Sequence, residues 1–547
     1  GLSRHRRLAA GAPGASGVSA AGRLSRRRWL RLGRDAATMA AVLAASAAPG
    51  SVGATRAAAP AGSRPQLPYG LQVGDLKDGG AVLWAAADRP SRLMARWSTR
   101  ASMTDAVIVP GALLVDATDL TGKLALTGLP PDQRIFVEAQ CLDLADYRST
   151  SAPLSASFLT PPAGRRDVRF VWGGDTAGQG WGINPEFGGM RIYETIRAAT
   201  PDFFIHSGDT VYADGPIQAE VALPGGGVWR NLVTEAKGKV AETLDEFRGQ
   251  YRYNLMDEPL KRFNAEVPML AQWDDHEVTN NWYWEMRLDA DARYREGSVA
   301  LLAARAMRAF HEYLPVRRHP LDPDRIFERF PYGPHLEVFR IDLRSYRGPN
   351  SDAQPTTLTP EFRILGSAQL DWLKRALADS TATWKVIASD MPLGLIVHDD
   401  FVRQRGAEAI ALRDGLPAGR ELEIAELLTF IRDREVRNVV WLTADVHYAA
   451  AHHYDPARAR YPHFAPFWEF VAGPLHAGTF GPGRLDDTFG PEAVFAKAPP
   501  AGQINLPPSA GMQFFGQVDI EGASGVMTVR LKDLSGETLF TKALTPD

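Results

Sequence analysis

Between residues 167 and 447 the chain repeats one grammar: a short, wholly apolar run, an acidic or histidine-bearing end, then an amphipathic helical stretch. Four of these runs end in GGDTAG (Asp175), HSGDTVY (Asp209, Tyr212), QWDDHEV (Asp275, His276) and TADVH (Asp445, His447). Uninterrupted apolar runs of this length read as strands buried on both faces, and strands that alternate with helices predict a layered α/β domain built on parallel sheets. Such sheets carry functional groups at the carboxyl ends of their strands. Four endings rich in carboxylate, phenol and imidazole therefore predict one converging site.

The flanks read differently. Residues 67–160 hold GAVLWAA, RLMARWS, KLALTGL, RIFVEAQ and ASFLTPP, short β-type runs separated by turn signals. They predict a small β-sandwich similar to fibronectin type III modules. Inside the α/β region, GGMRIYETIRAAT, residues 290–313, SAQLDWLKRALA and RELEIAELLTFIRDRE are expected helices, as is the end of a Gly-rich insertion at 213–265. FFGQVDIEG, GVMTVRLKD and TLFTKAL near the C-terminus predict two or three antiparallel strands. The expected divisions are a leader at 1–54, a linker at 55–66, the sandwich at 67–162, the catalytic α/β domain at 163–478 and a β extension at 479–547.

The leader holds nine Arg against one Asp, in a chain whose formal net charge is −3. The remainder is thus acidic, which argues against binding a nucleic-acid backbone. Ser25-Arg26-Arg27-Arg28-Trp29-Leu30-Arg31, an Ala-rich stretch from Ala36 to Ala48 and the small residues Val52-Gly53-Ala54 resemble a twin-arginine signal peptide. The expectation is a partner in the twin-arginine export machinery and a periplasmic, cell-surface or secreted protein. The apolar stretch is too short for a stable membrane span after cleavage. The single cysteine, Cys141, allows no disulfide within the chain and no thiolate cluster, and its alternating surroundings place it in a core.

The donor types separate into two groups. Asp175, Asp209, Tyr212 and His447 offer carboxylates, a phenol and an imidazole, a set suited to Fe³⁺, because a phenol with an ordinary pKa of about 10 needs a strong Lewis acid to ionise. Asp209, Asp275 and Asp445, with Asp390 from VIASD, offer oxygen alone, which suits Ca²⁺, Mg²⁺ or Mn²⁺. Asp209 is the bridging carboxylate in this scheme. Two cations would neutralise a phosphate ester and generate a hydroxide nucleophile at moderate pH. His276 is left to contact the phosphoryl oxygen or to protonate the leaving alcohol. Asp274 is read as supporting rather than ligating, Arg344 as either a phosphate contact or a structural ion pair, and His452 and His453 as ordinary surface or rim residues.

These motifs, with FHEYLPVR, IDLRSYRG and LGSAQLDWL, resemble the calcineurin-like metallophosphoesterase series, and especially the PhoD alkaline phosphatase/phospholipase D family. The resemblance implies an αββα sandwich, a binuclear Fe³⁺–Ca²⁺ site like that of purple acid phosphatases (with Mn²⁺, Mg²⁺ or Zn²⁺ as other occupants), and hydrolysis of phosphomonoesters, phosphodiesters or both. Well-known members carry Cys at the position of Asp175, whereas purple acid phosphatases carry Asp. Asp275 stands where the superfamily has Asn, and Asp445 where it has His; both changes favour a hard cation. The competing expectations are a phospholipase D-like diesterase or a phosphotriesterase on the same site, and a catalytically silent, wall-binding scaffold.

Overall fold

The computed structural model describes residues 64–547. The expected signal at 1–54 and most of the linker at 55–66 lie outside the described residues. Two large sheets carry the fold. In the first, of nine strands, Val168–Gly173, Phe203–Ser207 and Met269–Gln272 run parallel at the centre. In the second, of seven strands, Leu336–Arg340, Trp384–Ala388, Val439–Thr443 and Phe467–Val471 are the parallel core.

The period of two along each strand explains why the sheets stack and why both are covered. Phe170, Trp172, Phe203, Ile205 and Leu270 of the first sheet share a core with Val338, Val386, Val440, Leu442 and Phe470 of the second. The alternate residues Val171, Phe204 and Ala271 pack instead under the helices Ile192–Ala198, Leu244–Asn254, Glu258–Glu266 and Val299–Tyr313. Phe339, Ile387 and Trp441 do the same under Ser367–Asp379 and Glu421–Asp433. The result is helix–sheet–sheet–helix, the αββα arrangement expected. Polar links cross the inter-sheet core: Trp172 Nε1 donates to Thr443 O at 3.1 Å, and Gln272 Nε2 donates to Ile341 O and Ala388 O at 3.0 and 2.9 Å.

Both flanks are built into the first sheet. Leu71–Lys77, Gly80–Ala86 and Thr121–Leu126 form one face of the N-terminal β layers, and Gly74 pairs in parallel with Met269, so this face continues the central sheet. The facing layer is Ser91–Ser98, Arg134–Asp143 and Leu154–Leu159 with two short strands, and Cys141 is buried within it. At the other edge Phe514–Ile520 lies antiparallel to Val168–Gly173, followed by Met527–Asp533 and Thr538–Leu544.

One helix begins later than expected. The expected start at residue 290 gives way to Val299–Tyr313, because the Ser298 side chain accepts from Leu301 N and caps the helix there. The preceding residues form a loop in which Leu288 N donates to Gly297 O. Among the described residues no helix is long and apolar enough to cross a membrane.

Candidate metal centre

Parallel strands of both sheets point their carboxyl ends to the same rim, and the sequence turns sharply there. Asp175, Asp209, Asp445 and His447 all have positive φ, between 51° and 71°. Non-glycine residues enter this region at a cost and cluster there at functional sites. Gly208, at φ 99°, makes the second turn possible: a Cβ on it would meet Asp274 Cβ at 2.5 Å. The strands thus end in bends that throw short acidic side chains inward.

Three overlapping groups result. Ligand atoms of Asp175, Asp209 and His447 lie within 4.8 Å of one another, as do those of Asp209, Asp275 and His276, and those of Asp274, Asp275 and Asp445. Asp209 belongs to the first two and Asp275 to the last two. Tyr212 joins the first group, its hydroxyl donating to His447 Nε2 at 3.0 Å. His447 Nδ1–H donates to Gly478 O, which fixes the tautomer and leaves Nε2 facing the carboxylates, 3.8 Å from Asp175 Oδ1. Asp390 stands apart from these groups: it is fully buried, with Arg344 Nε at 3.9 Å.

The unpaired atoms identify what the site accommodates. Asp175 Oδ2, Asp209 Oδ2, Asp274 Oδ2 and Asp275 Oδ1 are buried without a hydrogen-bond partner, as are both oxygens of Asp390. Buried carboxylates are ordinarily paired or bound to metal. Burial, then the neighbouring acids Asp274 and Asp275, drive the carboxyls of Asp175 and Asp445 well above their usual range, and burial with Asp275 does the same to Asp209. Burial, and next Asp209, also raises the Tyr212 phenol. Such a set holds its charge when cations sit among the oxygens, so the donors present fit a pair of metal ions.

His276 differs from its neighbours. Burial alone would lower its pKa, but Asp214 and then Asp275 outweigh it and raise it to about 10. Asp214 Oδ1 accepts from His276 Nδ1 at 2.7 Å, and the imidazole stacks on the Tyr212 ring at 4.3 Å between centroids. The same histidine's backbone N–H donates to Asp209 Oδ1 at 3.1 Å. Its Nε2 is left on the side of Asp275 Oδ1, 3.9 Å away.

Sequence reasoning missed two contributors, Asp214 and Glu277, and read Asp274 as supporting only. Asp214 sits five residues beyond Asp209, in the same motif loop, where its Asp-Gly pair reads as a plain turn. Glu277, in the WDDHEV motif, accepts from Thr210 N, Thr210 Oγ1 and Asp274 N at 2.6, 2.6 and 2.8 Å and so ties two ligand loops together. Asp274 faces the second group as well as Arg344, whose Nε donates to its Oδ1 at 2.6 Å. Arg344 is enclosed by Asp274, Asp275, Asp390 and Glu408, which makes it a structural counter-charge. His452 is neither a surface nor a rim residue: it is buried in the strand Ala449–Tyr454 and bonded to Glu469 Oε2 at 2.8 Å.

Facing sheets with this donor set on their shared rim define the metallophosphoesterase type of architecture. A solved structure of PhoD superposes with a TM-score of 0.64 at 19% identity, covering 89% of this chain and 90% of that one. A purple acid phosphatase from yellow lupin (Lupinus luteus) seeds superposes at 0.53 and 13% identity, covering 88% and 75%. Both likenesses are of fold. The PhoD-like phosphatase family matches residues 170–531, and that family's N-terminal domain matches residues 53–162, so the chain belongs to the PhoD-like phosphatases. It is 29% identical over 319 residues to alkaline phosphatase D of Bacillus subtilis (strain 168), a stretch that is 55% of this chain and about half, 51%, of that relative.

Proposed function

We propose that this protein is an exported, metal-dependent phosphoesterase that hydrolyses phosphomonoesters, phosphodiesters or both. The observation that carries this reading is the convergence of unpaired, buried carboxylate oxygens from separate strand ends around Asp209. Asp175, Asp209, Tyr212 and His447 would hold one cation, and Asp209, Asp275 and Asp445 with Asp274 the other. Asp390 balances Arg344 beside them. The phenol and imidazole favour Fe³⁺ in the first position, and the oxygen-only set favours Ca²⁺ in the second. When bound, the cations would neutralise the phosphoryl oxygens and lower the pKa of water at the site.

The remaining work falls to the chain's own groups. Asp209 would serve both positions; one of its oxygens accepts from the His276 N–H and the other has no hydrogen-bond partner. His276, kept protonated by Asp214, has Nε2 directed to the carboxylate rim, where it donates to a phosphoryl oxygen or hands its proton to the departing alkoxide. Stacking on Tyr212 fixes the plane of that transfer. Export rests on the twin-arginine-like leader. A phospholipase D-like or phosphotriesterase activity would use the same groups with a different leaving group.

The test is release of p-nitrophenol from its phosphate monoester and diester by the purified protein, beside Asp209→Asn. The reading requires turnover of at least one ester that the variant loses together with bound metal. A parent chain that turns over neither ester with any added metal is the wall-binding scaffold instead.

A further inference from the structure

A cavity of about 490 Å³ lies where the N-terminal β layers meet the helix Val299–Tyr313, and it shares no residue with the strand-end groups. Its wall takes Lys123 from the strand Thr121–Leu126, Arg308, His311 and Glu312 from the helix, and Arg318 and Asp324 from the chain beyond it. Ala304, Arg308 and His311 follow one another at four and three residues, so a single helix face lines the space. Lys123 Nζ donates to Val316 O at 2.9 Å and closes the strand onto the segment that leaves the helix.

The charges on this wall are unevenly matched. Glu312 is committed: Arg248 Nε and Nη2 and Arg308 Nε donate to its carboxylate at 2.7, 2.9 and 2.9 Å. Arg308 also gives Nη2 to Ala117 O. Asp324, the other acid, is exposed. Among the described residues neither Lys123 nor Arg318 forms an ion pair, and the Lys123 ammonium uses one of its three hydrogens on protein. His311 is 2% exposed. The Asp324 main chain lies beside its ring, yet neither ring nitrogen has a partner at hydrogen-bond geometry. Burial pulls the Lys123 ammonium down to about 7; Asp75 opposes this and Arg318 adds to it. Two cations facing one space without a bound carboxylate favour an anion between them.

We propose that this cavity is a binding site for a phosphate group, held by Lys123, Arg318 and His311 and separate from the strand-end centre. The ammonium offers a compact charge and the guanidinium a planar fork, the two donor types that take phosphate oxygens. A neutral imidazole can give one N–H to a phosphoryl oxygen and accept from a protonated one, and a hydrogen phosphate carries both. The volume falls in the range of small-molecule sites, about 300–1,000 Å³, so there is room for an organic phosphate. Gly122 and Ala304 bring no long side chain to the wall and leave that room. A ligand seated here would join the N-terminal strand to the helix Val299–Tyr313.

The experiment is calorimetric titration at pH 7 of the full chain carrying Asp209→Asn, which removes the strand-end cations, with inorganic phosphate, glycerol 3-phosphate and succinate. The site predicts one phosphate or one glycerol 3-phosphate per chain, with affinity lowered about tenfold or more by Arg318→Ala and by Lys123→Met. The order of the two phosphate affinities tells an organic phosphate from the free ion, and either order supports the site. Arg318 is exposed and outside any ion pair, so Arg318→Ala keeps the test open if Lys123→Met fails to fold. No phosphate bound, an affinity unchanged in both variants, or succinate bound as tightly as phosphate would overturn the site. Ester turnover is not measured here, so loss of the phosphoesterase proposal leaves this one standing.

Discussion

Asp214, the Tyr212 ring and the Asp209 carboxylate fix the direction of His276 through a 2.7 Å hydrogen bond to Nδ1, a ring stack and a 3.1 Å bond to its backbone N–H. His276→Gln keeps the ring's approximate volume and removes the transferable proton, so kcat should fall by about 10²–10⁴-fold. Asp214→Asn leaves the imidazole in place but takes away the main charge that raises it to about 10. The alkaline limb of the kcat profile should then move to lower pH, with a loss of about 10–100-fold typical for a supporting partner. A profile unchanged in Asp214→Asn would mean that His276 carries no proton in the reaction. Away from the site, burial lowers the His311 pKa from 6.5 to about 3. The sign follows: a base depressed on folding gives full stability above its unfolded pKa of about 6.5, and that stability is lost as pH falls toward 3. His311→Leu should therefore narrow the acid-induced loss of unfolding free energy by on the order of a few kcal/mol, read from denaturant curves at pH 7 and pH 4.

At the scale of elements, the strand-to-loop bends place the site, and this is where the sequence was most and least legible. Asp175, Asp209, Asp275, Asp445 and His447 were visible because each closes an apolar run at a fixed offset, and strand direction alone brings such ends together. Asp214, Glu277 and the Asp274–Arg344 pair were not, since their partners lie 62, 67 and 70 residues away and nothing local marks the pairing. The late start of Val299–Tyr313 was written in Gly297-Ser298, a stop and a cap, but the apolar period on either side masked it. Five of the N-terminal β runs were readable, whereas the strand Leu71–Lys77 was not, and its parallel contact of Gly74 with Met269 is a tertiary event without a sequence signature. An element-level test lies at Gly516, where a Cβ would meet the Trp172 ring at 2.0 Å. Gly516→Ala must push the C-terminal strand off Val168–Gly173 or turn Trp172 away from Thr443, and should cost about 1–3 kcal/mol in unfolding free energy. A cost near zero would show that this edge of the sheet is loosely packed.

At the scale of the whole molecule, two facing sheets act as a rigid frame that forces five acids, a phenol and two imidazoles into one site. The acids repel one another and sit far from water, so the empty arrangement is costly, and that cost is what cation binding relieves. The most direct test is elemental analysis of the purified chain with its visible absorption spectrum, alongside Tyr212→Phe and Asp209→Asn. The account predicts iron together with calcium, an absorption band that Tyr212→Phe abolishes, and loss of both metals in Asp209→Asn. Zinc or manganese in a colourless protein would remove Tyr212 from the ligand set, and a parent chain that binds no metal would contradict the account at its centre.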